Sequence, residues 1–97
     1  MNRDITITIV LYEENYLSVS KCLENLKSFQ IIIIDNAGDH ELKKKILDKF
    51  NIYKYIINKT NEGFSKGANQ AIKLCDTEYI LNIESDCLIN EKGILNL

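Results

Sequence analysis

Four short apolar runs along the 97-residue chain have the composition of β-strands. The first is β-branched throughout, and the second has no polar alternation, which a strand tolerates only when both of its faces are covered. The third is more polar, so we expect it near an edge of the sheet. The fourth ends in two carboxylates. These runs cover residues 5–11, 31–34, 52–57 and 79–83.

Between these runs, apolar residues recur every three or four positions, which predicts amphipathic helices. The three stripes are Tyr16, Val19, Cys22, Leu23, Leu26 and Phe29; Leu42, Ile46, Leu47 and Phe50; and Phe64, Ala68, Ala71, Ile72 and Cys75. They predict helices over about 14–28, 40–50 and 64–75, and residues 88–97 resemble the opening of another.

The resulting element order is β-α-β-α-β-α-β with short connections. Such an order favours parallel strands joined by right-handed crossovers. The sequence therefore predicts one α/β domain over residues 1–97, a three-layer Rossmann-like fold with a mostly parallel sheet.

Composition narrows the function classes. The chain is 45% hydrophobic and 27% charged with a formal net charge of −2, and its interspersed charges argue against a nucleic-acid partner, which would need a basic face. Cys22, Cys75 and Cys87 show no Cys-x-x-Cys spacing, so we expect neither a disulfide framework nor a zinc site, and a reducing cytoplasm fits best. The first apolar run is too short to span a bilayer, and we expect no targeting segment.

Candidate chemistry lies where the strands end, because open α/β sheets bind ligands at the carboxyl ends of their strands. The strand exits are residues 12–14, 35–36, 61–69 and 84–86. Glu84 and Asp86 repel each other unless a cation or a donor-rich ligand lies between them. They predict a divalent metal that holds a nucleotide diphosphate; the alternative is the polar start of a loop.

Two common phosphate-binding patterns are absent from the sequence. No Gly-x-Gly-x-x-Gly follows the first strand, and no Gly-x-x-x-x-Gly-Lys-Ser/Thr occurs anywhere. If phosphates bind here, a metal has to carry most of the charge compensation.

Four segments in this order resemble the N-terminal half of family 2 glycosyltransferases of the GT-A fold. They are residues 5–12, 31–39, the Asn-x-Gly-Phe-x-x-Gly-x-Asn segment at 61–69, and 79–86, so the resemblance covers essentially the whole chain. It implies a truncated GT-A domain that binds a nucleoside-diphosphate sugar of the UDP, dTDP or GDP type with Mn²⁺ or Mg²⁺. The sugar would pass with inversion to a hydroxyl of a glycan or lipid-linked acceptor, in polysaccharide biosynthesis, in the cytoplasm or at the inner face of the membrane.

The same resemblance implies nucleotide-binding roles for six residues. The first two contact the base, the middle two line the donor pocket, and the last two bind the metal and the diphosphate. They are Tyr12, Asp35, Gly63, Asn69, Glu84 and Asp86.

The chain also departs from the family pattern. Glu13 stands where the family usually has asparagine, and Ser85 often where it has proline or aspartate. The family's catalytic base, which deprotonates the acceptor hydroxyl, lies well beyond the strand-four acids. No acid here matches it, since Glu91 is the only acid after Asp86 and is expected to be a solvated helix residue. We therefore expect weak donor binding, and poor transfer or none, by this chain alone.

Several alternatives remain open from the residues. Asp35 could cap the following helix, and Gly63 and Gly67 could serve only a tight turn and close helix packing. The chain could be a non-catalytic module that docks on a partner, or on a second copy through an exposed sheet edge. It could also be a receiver-type signalling domain with Asp35 as phosphoacceptor, although the late lysine of such domains is absent.

Overall fold

The described part of the chain forms eight elements, of which four are strands of one sheet. A computed structural model describes residues 2–86 and 91–95, with only the backbone at positions 2, 3, 91 and 95. The elements are β1 (Asn2–Leu11), α1 (Tyr16–Glu24), β2 (Phe29–Asp35), α2 (His40–Lys49), β3 (Lys54–Ile57), α3 (Phe64–Lys73), β4 (Tyr79–Ile83) and α4 (Glu91–Leu95).

The four strands are all parallel, in the order β3-β2-β1-β4. The predicted edge position of β3 is confirmed, and β4 forms the other edge. The side chains of Tyr79 and Ile80 on β4 are 60% and 39% exposed. Pairing of a second copy with this edge stays a prediction.

The isoleucine run of β2 has both faces covered, as its lack of polar alternation predicts. Ile31 and Ile33 belong to the larger apolar cluster, which α1 and α2 complete. Ile32 and Ile34 belong to a smaller cluster with Ala71 of α3. The sheet therefore lies between two helical layers, and the predicted three-layer arrangement is confirmed.

Helix α1 ends at Glu24, earlier than the apolar spacing predicts. Leu26 and Phe29 are nevertheless buried, because two successive turns continue a spacing of three: the Leu26 N–H donates to the Leu23 carbonyl, and the Phe29 N–H donates to the Leu26 carbonyl. The apolar pattern therefore continued where the helix did not.

Helix α2 begins at a cap other than the one considered from the sequence. The Asp39 carboxylate accepts from the Leu42 N–H at 2.9 Å, as an N-cap residue does. The capping role considered for Asp35 is therefore wrong.

The buried face of helix α3 overlaps the predicted stripe only in part: Ala71 and Cys75 pack on the sheet side as predicted, whereas Phe64 and Ile72 do not. Phe64 and Ile72 are about half exposed, at 51% and 45%, while Gly67 and Ala71 are buried. A Cβ atom on Gly67 would lie 2.9 Å from Val10 Cγ1. The missing side chain thus lets the helix approach β1 closely, and this confirms the close-packing role considered for Gly67.

Two features from the sequence fall partly outside the described residues. Cys87 lies outside them, as does the side chain of Glu91, although α4 confirms a helix within residues 88–97. No helix within residues 2–86 and 91–95 is both long and apolar enough to cross a lipid bilayer.

Candidate functional site

A cleft of about 490 Å³ opens at the carboxyl edge of the sheet, where the sequence places the chemistry. Segments from several strand exits and helix starts form its wall. They are residues 10–14 at the end of β1, Asn15 and Ser18 of the first turn of α1, Asn36 after β2, Asn61, Gly63 and Phe64 before and at the start of α3, and residues 84–86 after β4.

Four of the six residues assigned to the nucleotide line this cleft: Tyr12, Gly63, Glu84 and Asp86. Asp35 and Asn69 do not. Asn69 lies on α3 beside a separate surface groove of about 390 Å³, with Asn58 and Gln70. The structure thus brings together the exits of β1 and β4 and the loop before α3, and it separates the other two residues from them.

Asp35 is buried, with 1% of its surface exposed. One carboxylate oxygen accepts from the Ala37 N–H at 2.9 Å, and the other accepts from the Tyr55 hydroxyl at 3.0 Å. Burial, and then the neighbouring Asp35 charge, raise the pKa of Tyr55, so this hydroxyl stays protonated as a donor. The receiver-type alternative loses its basis, because a phosphoacceptor has to be accessible to its phosphodonor.

Asn36, the second of the two residues at the exit of β2, lines the cleft, whereas Asp35 does not. Successive side chains of a strand point to opposite faces. Asp35 therefore follows the face of Ile33, with Tyr55, and Asn36 follows the face of Ile34, toward α3. The alternation of side chains along β2 was the signal that could have identified Asn36.

The loop before α3 is shaped by Gly63. Its φ of 82° and ψ of 165° are accessible almost only to glycine. The Asn61 side chain accepts from the Gly63 N–H at 2.9 Å, and the Gly63 carbonyl accepts from the Asn36 amide at 3.1 Å. This turn confirms the tight-turn role considered for Gly63, and the same glycine also lines the cleft.

Two aromatic side chains border the cleft. Tyr12 is 49% exposed and Phe64 is 51% exposed. Phe64 was expected in the apolar stripe of α3, but as the first residue of that helix it lies beyond the part packed on the sheet. Exposed rings of this kind offer flat apolar surface to a ligand ring.

The charged side chains of the cleft all have the same sign. Among the described residues that line it, Glu13, Glu14, Glu84 and Asp86 are acidic and none is Lys, Arg or His. The Glu14 carboxylate accepts from the Tyr12 N–H and so fixes the turn at the end of β1. Glu13 adopts a positive φ of 57°, a left-handed conformation that asparagine tolerates better than glutamate. An anionic ligand entering this cleft would meet uncompensated negative charge.

The acids are compatible with a metal that a ligand helps to hold. Within residues 2–86 and 91–95, no three His, Cys, Asp or Glu side chains converge as a complete metal site. Mg²⁺, however, is usually bound by only one or two carboxylates together with substrate phosphates and water. Glu84 and Asp86 are exposed at the cleft and supply such a pair.

Comparison with known proteins gives the same family as the resemblance of the four segments. The family model for glycosyl transferase family 2 matches residues 6–97. A bifunctional glycosyltransferase, pgtA of Dictyostelium discoideum, is 32% identical over 78 aligned positions, which cover 72% of this chain and 10% of that protein.

A solved structure shares the fold. The crystal structure of S. aureus TarS, residues 1–349, superposes with a TM-score of 0.76 at 23% identity, over 96% of this chain and 30% of that one. The predicted GT-A-type Rossmann-like fold is confirmed, with a sheet that is entirely parallel. The family model covers nearly the whole sequence, and the chain therefore belongs to glycosyl transferase family 2.

Proposed function

We propose that the cleft at the carboxyl edge binds a nucleoside-diphosphate sugar together with a divalent cation. The observation that carries this proposal is the uniformly acidic set of charged side chains in the cleft of a family 2 glycosyltransferase chain. A diphosphate cannot bind beside these carboxylates without a compensating cation. Nucleotide affinity and metal are therefore coupled in this proposal.

Glu84 and Asp86 would hold the cation, Mn²⁺ or Mg²⁺, because they are the exposed pair at the end of β4. When bound, the metal supplies charge neutralisation for the diphosphate leaving group. The remaining contribution of the chain is to bind and orient the nucleotide with residues of β1, β2 and α3.

The nucleobase would lie near the aromatic side chains. Tyr12 or Phe64 offers an exposed ring surface in the cleft, and Asn36 offers an amide with both donor and acceptor groups. In this arrangement Asp35 does not contact the base directly. Its bond from the Ala37 N–H shapes the turn that presents Asn36.

Transfer of the sugar with inversion to a hydroxyl of a glycan or lipid-linked acceptor is the wider part of the proposal. The chain spans 10% of the length of pgtA and 30% of the TarS chain. The part that we propose for it within a whole glycosyltransferase is the donor site.

Calorimetric titration with UDP, dTDP and GDP tests the proposal, each with Mn²⁺, with Mg²⁺ and with EDTA. We expect one of these nucleotides to bind with metal and to lose most of its affinity in EDTA. Asp48→Asn is the matched control for substitutions of the cleft acids, because Asp48 is an exposed aspartate of α2 that does not line the cleft. Equal affinity with and without metal, or no binding of any of the three nucleotides, would overturn the proposal.

A further inference from the structure

Three side-chain amides form a connected set behind the cleft. The Asn36 Nδ2 donates to the Gly63 carbonyl at 3.1 Å, and the Asn58 Nδ2 donates to Asn36 Oδ1 at 2.7 Å. Asn58 and Gln70 also form a reciprocal pair, in which each amide nitrogen donates to the other's oxygen, at 2.9 and 3.1 Å. We call Asn36, Asn58 and Gln70 the amide set.

The amide set joins four parts of the fold. Asn36 follows β2 and Asn58 follows β3, and their backbone N–H groups continue the sheet by donating to the carbonyls of Leu11 and Asp35, at 2.8 and 2.9 Å. Gln70 lies on α3, and the Gly63 carbonyl belongs to the turn that begins this helix. The position of the loop before α3 relative to the sheet is therefore fixed through side chains.

Only one member of the set touches both the cleft and the other amides. Asn36 lines the cleft and is 3% exposed, whereas Asn58 and Gln70 line the separate groove beside α3. Asn58 is the central member, because its two amide hydrogens serve Asn36 and Gln70 at once. A change at Asn58 therefore acts on the cleft through Asn36.

We propose that Asn58 and Gln70 are positioning residues for nucleotide binding: they orient Asn36, and Asn36 holds the Gly63 turn at the rim of the cleft. This inference rests on the proposed function, because it concerns the same cleft. It assigns a role to two residues that lie outside the cleft. Neither residue belongs to any of the four segments that carry the family resemblance.

Isosteric substitutions separate the hydrogen bonds from shape and charge. Asn58→Asp keeps the shape but replaces both donated hydrogen bonds with facing oxygen atoms. Gln70→Glu adds the same charge nearby and removes the bond that Gln70 donates to Asn58 Oδ1. It leaves the Asn58 amide able to donate to Asn36 and to the side-chain oxygen at position 70 that already accepts from it. Asn51→Asp makes the same chemical change as Asn58→Asp at an exposed position before β3, on the side of the amino ends of the strands and away from the cleft.

Two measurements on each variant test the inference. The first is nucleotide affinity by calorimetry with UDP, dTDP and GDP in the presence of Mn²⁺. The second needs no nucleotide: it is amide hydrogen exchange by NMR at Gly67, whose N–H donates to the Gly63 carbonyl at 3.1 Å. Exchange at Ile33, in the centre of the sheet, reports whether the variant is folded.

We expect Asn58→Asp to weaken binding of the accepted nucleotide about tenfold, the effect of roughly one to two lost hydrogen bonds, and to speed exchange at Gly67 with Ile33 unchanged. Gln70→Glu should have a smaller effect on both readouts, and Asn51→Asp none.

The outcomes separate this inference from the proposed function. Unchanged exchange at Gly67 in folded Asn58→Asp would overturn the inference whatever the nucleotides do. Faster exchange with unchanged affinity would also overturn it, because the amide set would then hold the turn without any effect on nucleotide binding.

If the parent chain binds none of the nucleotides, the proposed function fails and the role of the amide set in nucleotide binding fails with it. Exchange at Gly67 still reports in that case whether the set holds the turn. Equal losses in Asn58→Asp and Gln70→Glu would attribute the effect to charge and contradict the positioning role.

Discussion

Two walls of the cleft differ in whether their polar side chains have partners within the chain. We call the wall formed by Asn36 and the turn before α3 the α3 wall, and the wall formed by Glu84 and Asp86 the acidic wall. On the α3 wall, Asn36 is buried and its amide bonds both to Asn58 and to the Gly63 carbonyl. On the opposite, acidic wall, Glu84 and Asp86 are exposed, and their carboxylates have no hydrogen-bond or ion-pair partner within residues 2–86 and 91–95.

This difference indicates a division of roles. A wall held by its own hydrogen bonds is preorganised and suits recognition by shape, since little ordering is required when the ligand binds. A wall of like charges needs a cation to neutralise it, and in this proposal the cation binds together with the ligand. Substitutions of Glu84 or Asp86 should therefore change binding without changing stability, and substitutions that break the hydrogen bonds supporting the α3 wall should change stability.

The largest expected effect is on the acidic wall. Asp86→Asn removes one of two carboxylates proposed to hold the cation, so we expect a loss of about 100-fold, or about 2.7 kcal/mol, in nucleotide affinity with Mn²⁺. The affinity in EDTA should hardly change. The free energy of unfolding, from thermal denaturation, should stay within about 0.5 kcal/mol of that of the parent, because Asp86 is exposed. A comparable loss in Asp48→Asn, or an unchanged metal dependence in Asp86→Asn, would contradict the division of roles.

The next effect concerns the turn that presents Asn36 to the α3 wall, which Asp35 supports from the other face of the sheet. Tyr55→Phe removes the donor to one oxygen of buried Asp35, so we expect the free energy of unfolding to fall by about 2 kcal/mol in urea denaturation. Tyr53→Phe is the matched control, because the Tyr53 hydroxyl makes only a long, exposed hydrogen bond, 3.4 Å, to Asp76. Equal stability of the two variants would show that the Asp35–Tyr55 bond contributes nothing.

The same pair predicts a response to alkaline pH. Burial and the Asp35 charge raise the pKa of Tyr55, so in the folded chain its hydroxyl keeps its proton above about pH 10, where an unfolded tyrosine loses it. The stability from this hydroxyl is fully present below about pH 10 and is lost as the pH rises further. The parent should therefore lose stability more steeply than Tyr55→Phe above pH 10. Parallel curves for the two proteins would contradict the raised pKa.

A smaller effect is expected where α3 meets the sheet. Gly67→Ala places a Cβ atom 2.9 Å from Val10, so repacking should lower the free energy of unfolding by about 1–2 kcal/mol, after the gain in helix propensity is subtracted. Val10 lines the cleft, and nucleotide affinity should fall as well. Ser65→Ala, at an exposed position of the same helix, serves as control and should be near neutral. A Gly67→Ala chain as stable as the parent would show that this contact yields without cost.

The smallest expected effect is a gain. Glu13 has a φ of 57°, which asparagine adopts more readily, so Glu13→Asn should raise the free energy of unfolding by about 0.5–1 kcal/mol. Glu13→Gln removes the same charge but keeps a long side chain at the positive φ, and it should show little gain. If both variants gain equally, relief of charge repulsion and not backbone conformation would explain the result.

The sequence was most informative where one physical rule acts alone. The four consecutive isoleucines of β2 require two covered faces, and the polar strand exits mark the carboxyl edge, so the sheet and the place of the cleft could be predicted. Asp35 was expected in the cleft because it resembles a family position, whereas strand alternation gives that place to Asn36. The Asn58–Gln70 pair joins two elements through side chains, and no periodicity or local motif reveals such a contact.

Residues near an element's end were predicted least well. Phe64 fits an apolar stripe by spacing, yet as the first residue of α3 it lies past the contact with the sheet and is 51% exposed. The positive φ of Glu13 depends on how the exit of β1 turns toward α1. Neither property follows from hydrophobic spacing, because both depend on where one element meets the next.

Paramagnetic broadening by Mn²⁺ tests the central claim most directly. NMR spectra of the chain with UDP, dTDP or GDP would be compared in Mg²⁺ and after addition of Mn²⁺. We predict that signals of Tyr12, Glu84 and Asp86 broaden first and only when a nucleotide is present, while those of Asn51, on the side of the amino ends of the strands, stay sharp. Broadening centred elsewhere in the fold, or identical broadening without a nucleotide, would contradict a cation site completed by a nucleotide diphosphate in this cleft.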